Sequence, residues 1–148
     1  FIVQCLTGLA YSDIIKLDFE KVELRNGQYV LNDERAKTGV DFTVVLLPEV
    51  LDILKRYGYK LPKFSNQQYN MRLKLVADAA GLDKPIASHW GRRTFGMYLL
   101  NNGFSMEVVA KVLGHRSIRT TEAAYAKILD KSVEQAFRKF AEEEKEEK

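Results

Sequence analysis

KVELRNGQYVLNDERAKTGVDFTVVLLP, residues 21–48, is the stretch on which the fold turns. Two runs that alternate apolar with polar residues, KVELR (21–25) and QYVLN (28–32), flank Asn26-Gly27. That dipeptide suits a two-residue hairpin turn, whose central residues both need positive φ. DFTVVLL (41–47) is a third strand-like run, and the polar residues before it supply a second turn. The pattern predicts a three-stranded antiparallel sheet within residues 19–47, with Lys37 in or beside the turn before the third strand.

Outward from this stretch the apolar period lengthens to that of helices. Ser12-Asp13 opens a short helical pattern, with Ser12 as its cap and Ile14, Ile15 and Leu17 on its apolar side. Downstream, PEVLDILKRYG places Pro48 at a first helical position, and further helices run from near Ser65 to Gly81, from about Ser88 to Gly103 and from Ser105 to Gly114. A short helix then holds Tyr125, and Val133, Phe137 and Phe140 form an apolar stripe on a last helix within 131–148. The expected fold is mainly α with a small three-stranded antiparallel β-sheet.

With 148 residues, 46% of them hydrophobic and 29% charged, the chain has the composition of one globular domain. Its single cysteine, Cys5, lies among apolar residues and reads as packing, so neither a disulfide framework nor a zinc cluster is expected and a reducing cytoplasm suits it. The opening run FIVQCL is too short for a signal peptide or a membrane span. A chain that begins inside an apolar run reads as an excised domain whose first helix continues upstream. The net charge is +3, but the tail AEEEKEEK contributes −3, leaving +6 on residues 1–140. A basic body suits a polyanionic partner, though this charge is mild. Neither a phosphate-cradling G-x-x-x-x-G-K-[ST] loop nor the carboxylate and histidine cluster of a two-metal nuclease occurs in the sequence.

His89 and Arg92 stand three apart in SHWGRRTFGMYLL, so a helix puts both on one face where they can converge on one anion, while Arg93 points roughly a quarter-turn away. Arginine presents a planar fork to two phosphate oxygens, and histidine beside it can donate a hydrogen bond or move a proton. H-x-x-R alone is a weak signal, equally compatible with a polar face opposite Phe95, Leu99 and Leu100. The second of only two histidines, His115, follows the helix-ending Gly114, where an isolated histidine is usually a cap. Tyr125 lies ten residues further on.

Four motifs, TGLAYSDIIKL (7–17), RAKTG (35–39) followed by a strand and a proline, SHWGRRTFGMYLL (88–100) and LGHRSIRTTEAAYAK (113–127), resemble in order and spacing the catalytic domain of the tyrosine recombinases, the phage integrase family, especially its mobile-element integrases. The resemblance implies site-specific DNA recombination by strand cleavage and rejoining through a 3′-phosphotyrosine intermediate. Tyr125 would be the nucleophile, His89 and Arg92 would clamp the scissile phosphate, His115 would bind it from the other side, and Lys37 would protonate the leaving 5′ oxygen. It further implies no cofactor and no metal, double-stranded DNA as partner, a homo-tetramer on DNA and a place in the prokaryotic cytoplasm with no membrane contact. Residues 1–148 would be the catalytic domain without the family's N-terminal DNA-binding domains, and 131–148 a helix and charged tail that packs on a neighbouring protomer or folds back.

Three departures accompany the likeness. Ala10 stands where the family commonly has arginine after T-G-L, Arg93 where it usually has histidine, and the interval from His115 to Tyr125 is ten residues where nine is usual. Asp13 matches the acidic residue that supports the missing arginine. Arg25, Arg35 and Arg119 are candidates to replace it, each read more readily as a DNA-backbone contact or a solvated charge. The alternatives are a catalytically weakened or inactive DNA-binding domain of the same fold, a type IB topoisomerase, or a helical interaction domain docking through Val133, Phe137 and Phe140.

The chemistry explains the residue types. Attack by a phenol oxygen on a phosphodiester builds negative charge on the non-bridging oxygens, and fixed cations stabilise that transition state more than the ground state. With a tyrosine pKa near 10, only about one molecule in a thousand is phenolate at neutral pH, so a nearby group must take the proton. Because +6 on the body favours backbone contacts, the domain should bind duplex DNA weakly, with little sequence preference and with an affinity that falls steeply as salt rises. Titrations of a labelled duplex at several salt concentrations check this, and salt-independent binding would contradict it.

Overall fold

The computed structural model of the chain describes residues 1–126, and the expected helix with Val133, Phe137 and Phe140 lies outside them. The sheet has the order β1 (Val22–Arg25), β2 (Gln28–Glu34), β3 (Asp41–Leu46), with both pairs antiparallel. Asn26 and Gly27 have φ of 49° and 78°, the two positive values that the β1–β2 turn needs, and Arg25 pairs with Gln28 across it. In β3 the alternation is clean, since Phe42, Val44 and Leu46 are buried while Val45 is exposed. The β2–β3 turn closes through Arg35 N–H to Val40 O (2.9 Å) and Gly39 N–H to Arg35 O (2.8 Å), which puts Lys37 at its tip.

Two short helices precede the sheet. α1 (Ile2–Thr7) ends at Gly8, whose φ of 68° turns the chain out of the helix while its N–H bonds Gln4 O. α2 (Tyr11–Ile14) is capped at Ala10 rather than at Ser12. The carbonyl of Ala10 already accepts from Asp13 and Ile14, so Ser12 lies inside the turn and its hydroxyl bonds Asp13 Oδ1 (3.2 Å). A single 3-10 turn, Phe19–Lys21, capped by the Asp18 side chain, leads into β1 and was not expected from the sequence.

After the sheet come α3 (Pro48–Arg56), α4 (Asn66–Ala79), α5 (Ser88–Asn101) and α6 (Met106–Leu113), followed by α7, a helix over residues 118–126. Their starts follow local chemistry. Pro48 occupies the first turn of α3, Ser65 and Gln68 cap α4 reciprocally, and Ser105 accepts from Val108 N–H at the start of α6.

The buried face of the sheet packs with α1, α3, α5 and α6 in one core containing Leu31, Phe42, Val44, Val50, Leu54, Phe95, Leu99, Val109 and Leu113. α1 lies directly against α5 at Gly91, where a Cβ would come within 2.8 Å of Gln4 Cβ. Leu31→Ala, at a residue 1% exposed, should cost about 3 kcal/mol, whereas Leu24→Ala on the exposed end of the same sheet, at a residue 64% exposed, should change stability by less than about 0.5 kcal/mol. Urea unfolding of the two variants measures the difference.

Candidate active site

The C-terminal end of α6 leaves carbonyls without helical partners, and one of them, Leu113 O, gathers two guanidinium groups. Arg92, on the first half of α5, donates to it from Nη2 and to Gly8 O from Nη1 (2.9 Å). Arg35, at the base of the β2–β3 turn, donates to the same Leu113 oxygen from Nη1 (2.9 Å). The ends of α1 and α6, the hairpin and α5 therefore meet at one point.

Arg35 was read from sequence as a backbone contact or a solvated charge, and the structure corrects that reading. Its side chain is 12% exposed, and its Nε lies 2.7 Å from Oδ2 of Asp13, itself 3% exposed. The two atoms are close but not aligned for a hydrogen bond, so the contact is an ion pair. Asp13 Oδ1 accepts instead from Ala36 N–H (3.0 Å). Gly114 makes room, because a Cβ there would lie 2.7 Å from Arg35 Cγ.

His115 follows Gly114 and is half-buried, with Nδ1 2.8 Å from the Thr121 hydroxyl on α7. Among the described residues its other ring nitrogen has no hydrogen-bond partner. Burial first, then the charges of Arg92 and Arg35, lower its pKa from the ordinary 6.5 to about 4, so the ring is neutral at physiological pH. Arg92 is itself lowered to about 10 by burial and by Arg35, against the pull of Asp13 and Tyr125, and it keeps its charge near neutrality.

Tyr125 is 2% exposed on α7. Its hydroxyl rests on Gly96, where a Cβ would come within 2.0 Å of the oxygen. Gly96 is one helical turn beyond Arg92 on α5, so the phenol lies along the arginine's face. Burial raises the pKa of the phenol, opposed by the charges of Arg92 and Arg93.

Arg92, His115 and Tyr125 are thus brought together, with Arg35 beside them. Among the described residues Lys37 and His89 form no hydrogen bond or ion pair with that group. Lys37 is exposed at the turn tip and, among the described residues, has no side-chain hydrogen bond or ion pair. Its turn is nevertheless tied to the segment carrying His115, since Arg116 Nη2 donates to Thr38 O (3.1 Å). His89 is exposed on the first turn of α5 beside Trp90, with ring centroids 6.2 Å apart. Of the other arginines, Arg25 pairs with Glu23 on the far edge of the sheet, and Arg119 is exposed on α7.

Solved recombinases share this fold. XerA recombinase superposes with a TM-score of 0.69 at 20% identity over 88% of this chain and 55% of that one. XerH, in a structure described as a post-cleavage complex with a palindromic difH substrate, gives 0.73 at 18% identity over 91% and 43%. The catalytic domain of bacteriophage HP1 integrase gives 0.60 at 23% over 84% and 72%. The chain belongs to the phage integrase family, whose model matches residues 1–132. Among curated relatives, tyrosine recombinase XerD of Pseudomonas putida is 27% identical over 134 residues and that of Listeria innocua 29% over 133, each match covering 78% of this chain. The chain spans less than half the length of these relatives, 44% and 45%.

The neutral state of His115 has a consequence for stability. A histidine whose pKa is lower in the folded state binds fewer protons folded than unfolded, so its contribution is complete above 6.5 and is lost as pH falls toward 4. The difference in unfolding free energy between the wild type and His115→Gln should therefore shrink across that window. A difference independent of pH would contradict a buried neutral ring.

Proposed function

We propose that this domain cleaves and rejoins duplex DNA site-specifically, with Tyr125 as nucleophile and a 3′-phosphotyrosine intermediate. The observation that carries the reading is the juxtaposition of Tyr125, Arg92 and His115 where the consecutive helices α5, α6 and α7 fold back on one another. Family membership supports the same reaction class, and the XerH complex described with its difH substrate supports DNA as partner.

In this reading the Tyr125 oxygen forms a bond to phosphorus as the bond to the 5′ oxygen breaks. The phenol proton passes to a histidine, His115 or His89, and among the described residues His115 has one ring nitrogen without a partner to receive it. Arg92 neutralises charge on the non-bridging oxygens, and His89, one turn earlier on the same helix, contacts the phosphate from the exposed side. Lys37, carried by the turn tethered through Arg116, donates a proton to the departing 5′ oxygen. The bond energy is kept in the phosphotyrosine, so reversal by another 5′ hydroxyl needs no ATP. The positive charge comes from side chains, and the step uses no metal ion. A tetramer on DNA and action in the cytoplasm belong to the same proposal. Among the described residues no helix is long and apolar enough to cross a membrane.

The resting position of Tyr125 implies a step before chemistry. With its hydroxyl against Gly96, the phenol must leave that contact to meet a phosphate, so DNA binding has to be coupled to displacement of α7. On nicked suicide duplexes the wild type should form a covalent protein–DNA adduct resistant to denaturant, Tyr125→Phe should form none, and Arg92→Ala should form it about a hundredfold more slowly. An adduct that persists in Tyr125→Phe would remove Tyr125 from the reaction.

A further inference from the structure

Of the three candidates to replace the arginine missing at position 10, Arg35 is the one that the structure buries beside Arg92. Its guanidinium shares the Leu113 carbonyl with Arg92, and among the described residues its Nη2 has no partner. Two guanidinium groups on one neutral oxygen repel each other, and among the described residues Asp13 is the carboxylate that acts on Arg92. With His115 neutral, Asp13, Arg35 and Arg92 together leave a net positive charge beside Tyr125, to which the exposed Arg93 adds. An anion of phosphodiester size would offset it, and each fork retains donors in its plane for such an anion. Position 10, at the start of the helix bearing Asp13, carries only a methyl group and offers no charge.

We propose that Arg35, held by Asp13 and reaching in from the β2–β3 hairpin, is a second catalytic arginine that binds the scissile phosphate together with Arg92. The inference rests on the recombinase reading above. The hairpin then contributes two residues to the reaction, with Lys37 at its tip directed to the leaving group and Arg35 at its base directed to the non-bridging oxygens. Asp13 is the positioning residue: its carboxylate orients the Arg35 fork and, through Ala36 N–H, the first residue of the turn. A purely structural alternative exists, since the bond to Leu113 O also caps α6.

The test separates the two by charge. Nicked duplexes that the wild type captures covalently are first selected from a randomised pool. If none is captured, the recombinase reading itself fails, and with it this inference. The selected duplex is then made with either a normal scissile phosphodiester or a methylphosphonate, in which a methyl group replaces one non-bridging oxygen and removes the negative charge. For each protein the ratio of single-turnover adduct rates on the two substrates is measured. Partial unfolding of a variant scales both rates alike and leaves that ratio unchanged.

For Arg35→Ala the ratio of phosphodiester to methylphosphonate rate should fall about a hundredfold relative to wild type, because the arginine matters only where there is charge to neutralise. Arg35→Lys, which keeps the charge but loses the fork, should fall between the two. Arg25→Ala, on the far edge of the sheet, should leave the ratio at its wild-type value. An unchanged ratio in Arg35→Ala, whatever the absolute rates, would make Arg35 a helix cap and overturn the proposal.

Discussion

The carbonyl oxygen of Leu113 is the point at which the domain is tied together. A helix end exposes acceptors and carries partial negative charge, so it attracts cations that approach within bonding distance. Arg92 and Arg35 both donate to it, and Arg92 extends the link to Gly8 at the end of α1. These bonds join segments separated by as many as 84 positions in the chain, between hydrophobic contacts that are not directional. The apolar core brings α1, α5, α6 and the sheet into proximity. The charged hydrogen bonds then determine how they are oriented.

Such a knot carries an electrostatic cost that most protein interiors avoid. Two guanidinium groups share one carbonyl, each partly withdrawn from water, and the buried carboxylate of Asp13 pairs with one of them. Burial first, and then the arginine charges, lower Arg92 to about 10 and His115 to about 4. A surplus of positive charge in a preorganised site is unfavourable without a ligand and favourable when an anion arrives. The buried phenol of Tyr125 completes the arrangement, because its hydroxyl rests on Gly96 and is shielded from bulk water.

Features governed by neighbouring residues were legible in the sequence. Asn26-Gly27 announced the first hairpin, Ser65 and Ser105 announced the starts of α4 and α6, and Gly114 announced the end of α6. The start of α2 was misplaced by two residues because Ser12 is the better capping type, yet the backbone at Ala10 supplies the first helical acceptor. Arg35 could not be assigned for a different reason. A flexible side chain on a hairpin reaches whatever the tertiary packing presents, and nothing local in RAKTG tells that the partners are Asp13 and Leu113. The departure at Ala10 was readable as an absence, and Arg35 only as one of three candidates to fill it. The seat of Tyr125 has a usable signal in Gly96, a glycine inside a helix four residues beyond Arg92.

Gly114 serves two ends through one missing side chain. Its φ of 59° ends α6 in a left-handed turn that favours glycine whatever lies beside it, and the space left by its missing side chain is the space through which Arg35 passes. A single added methyl group there would strain the turn and crowd Arg35 away from Asp13 and the Leu113 carbonyl at once. The end of a helix and the seat of a charge are thus vulnerable to the same substitution.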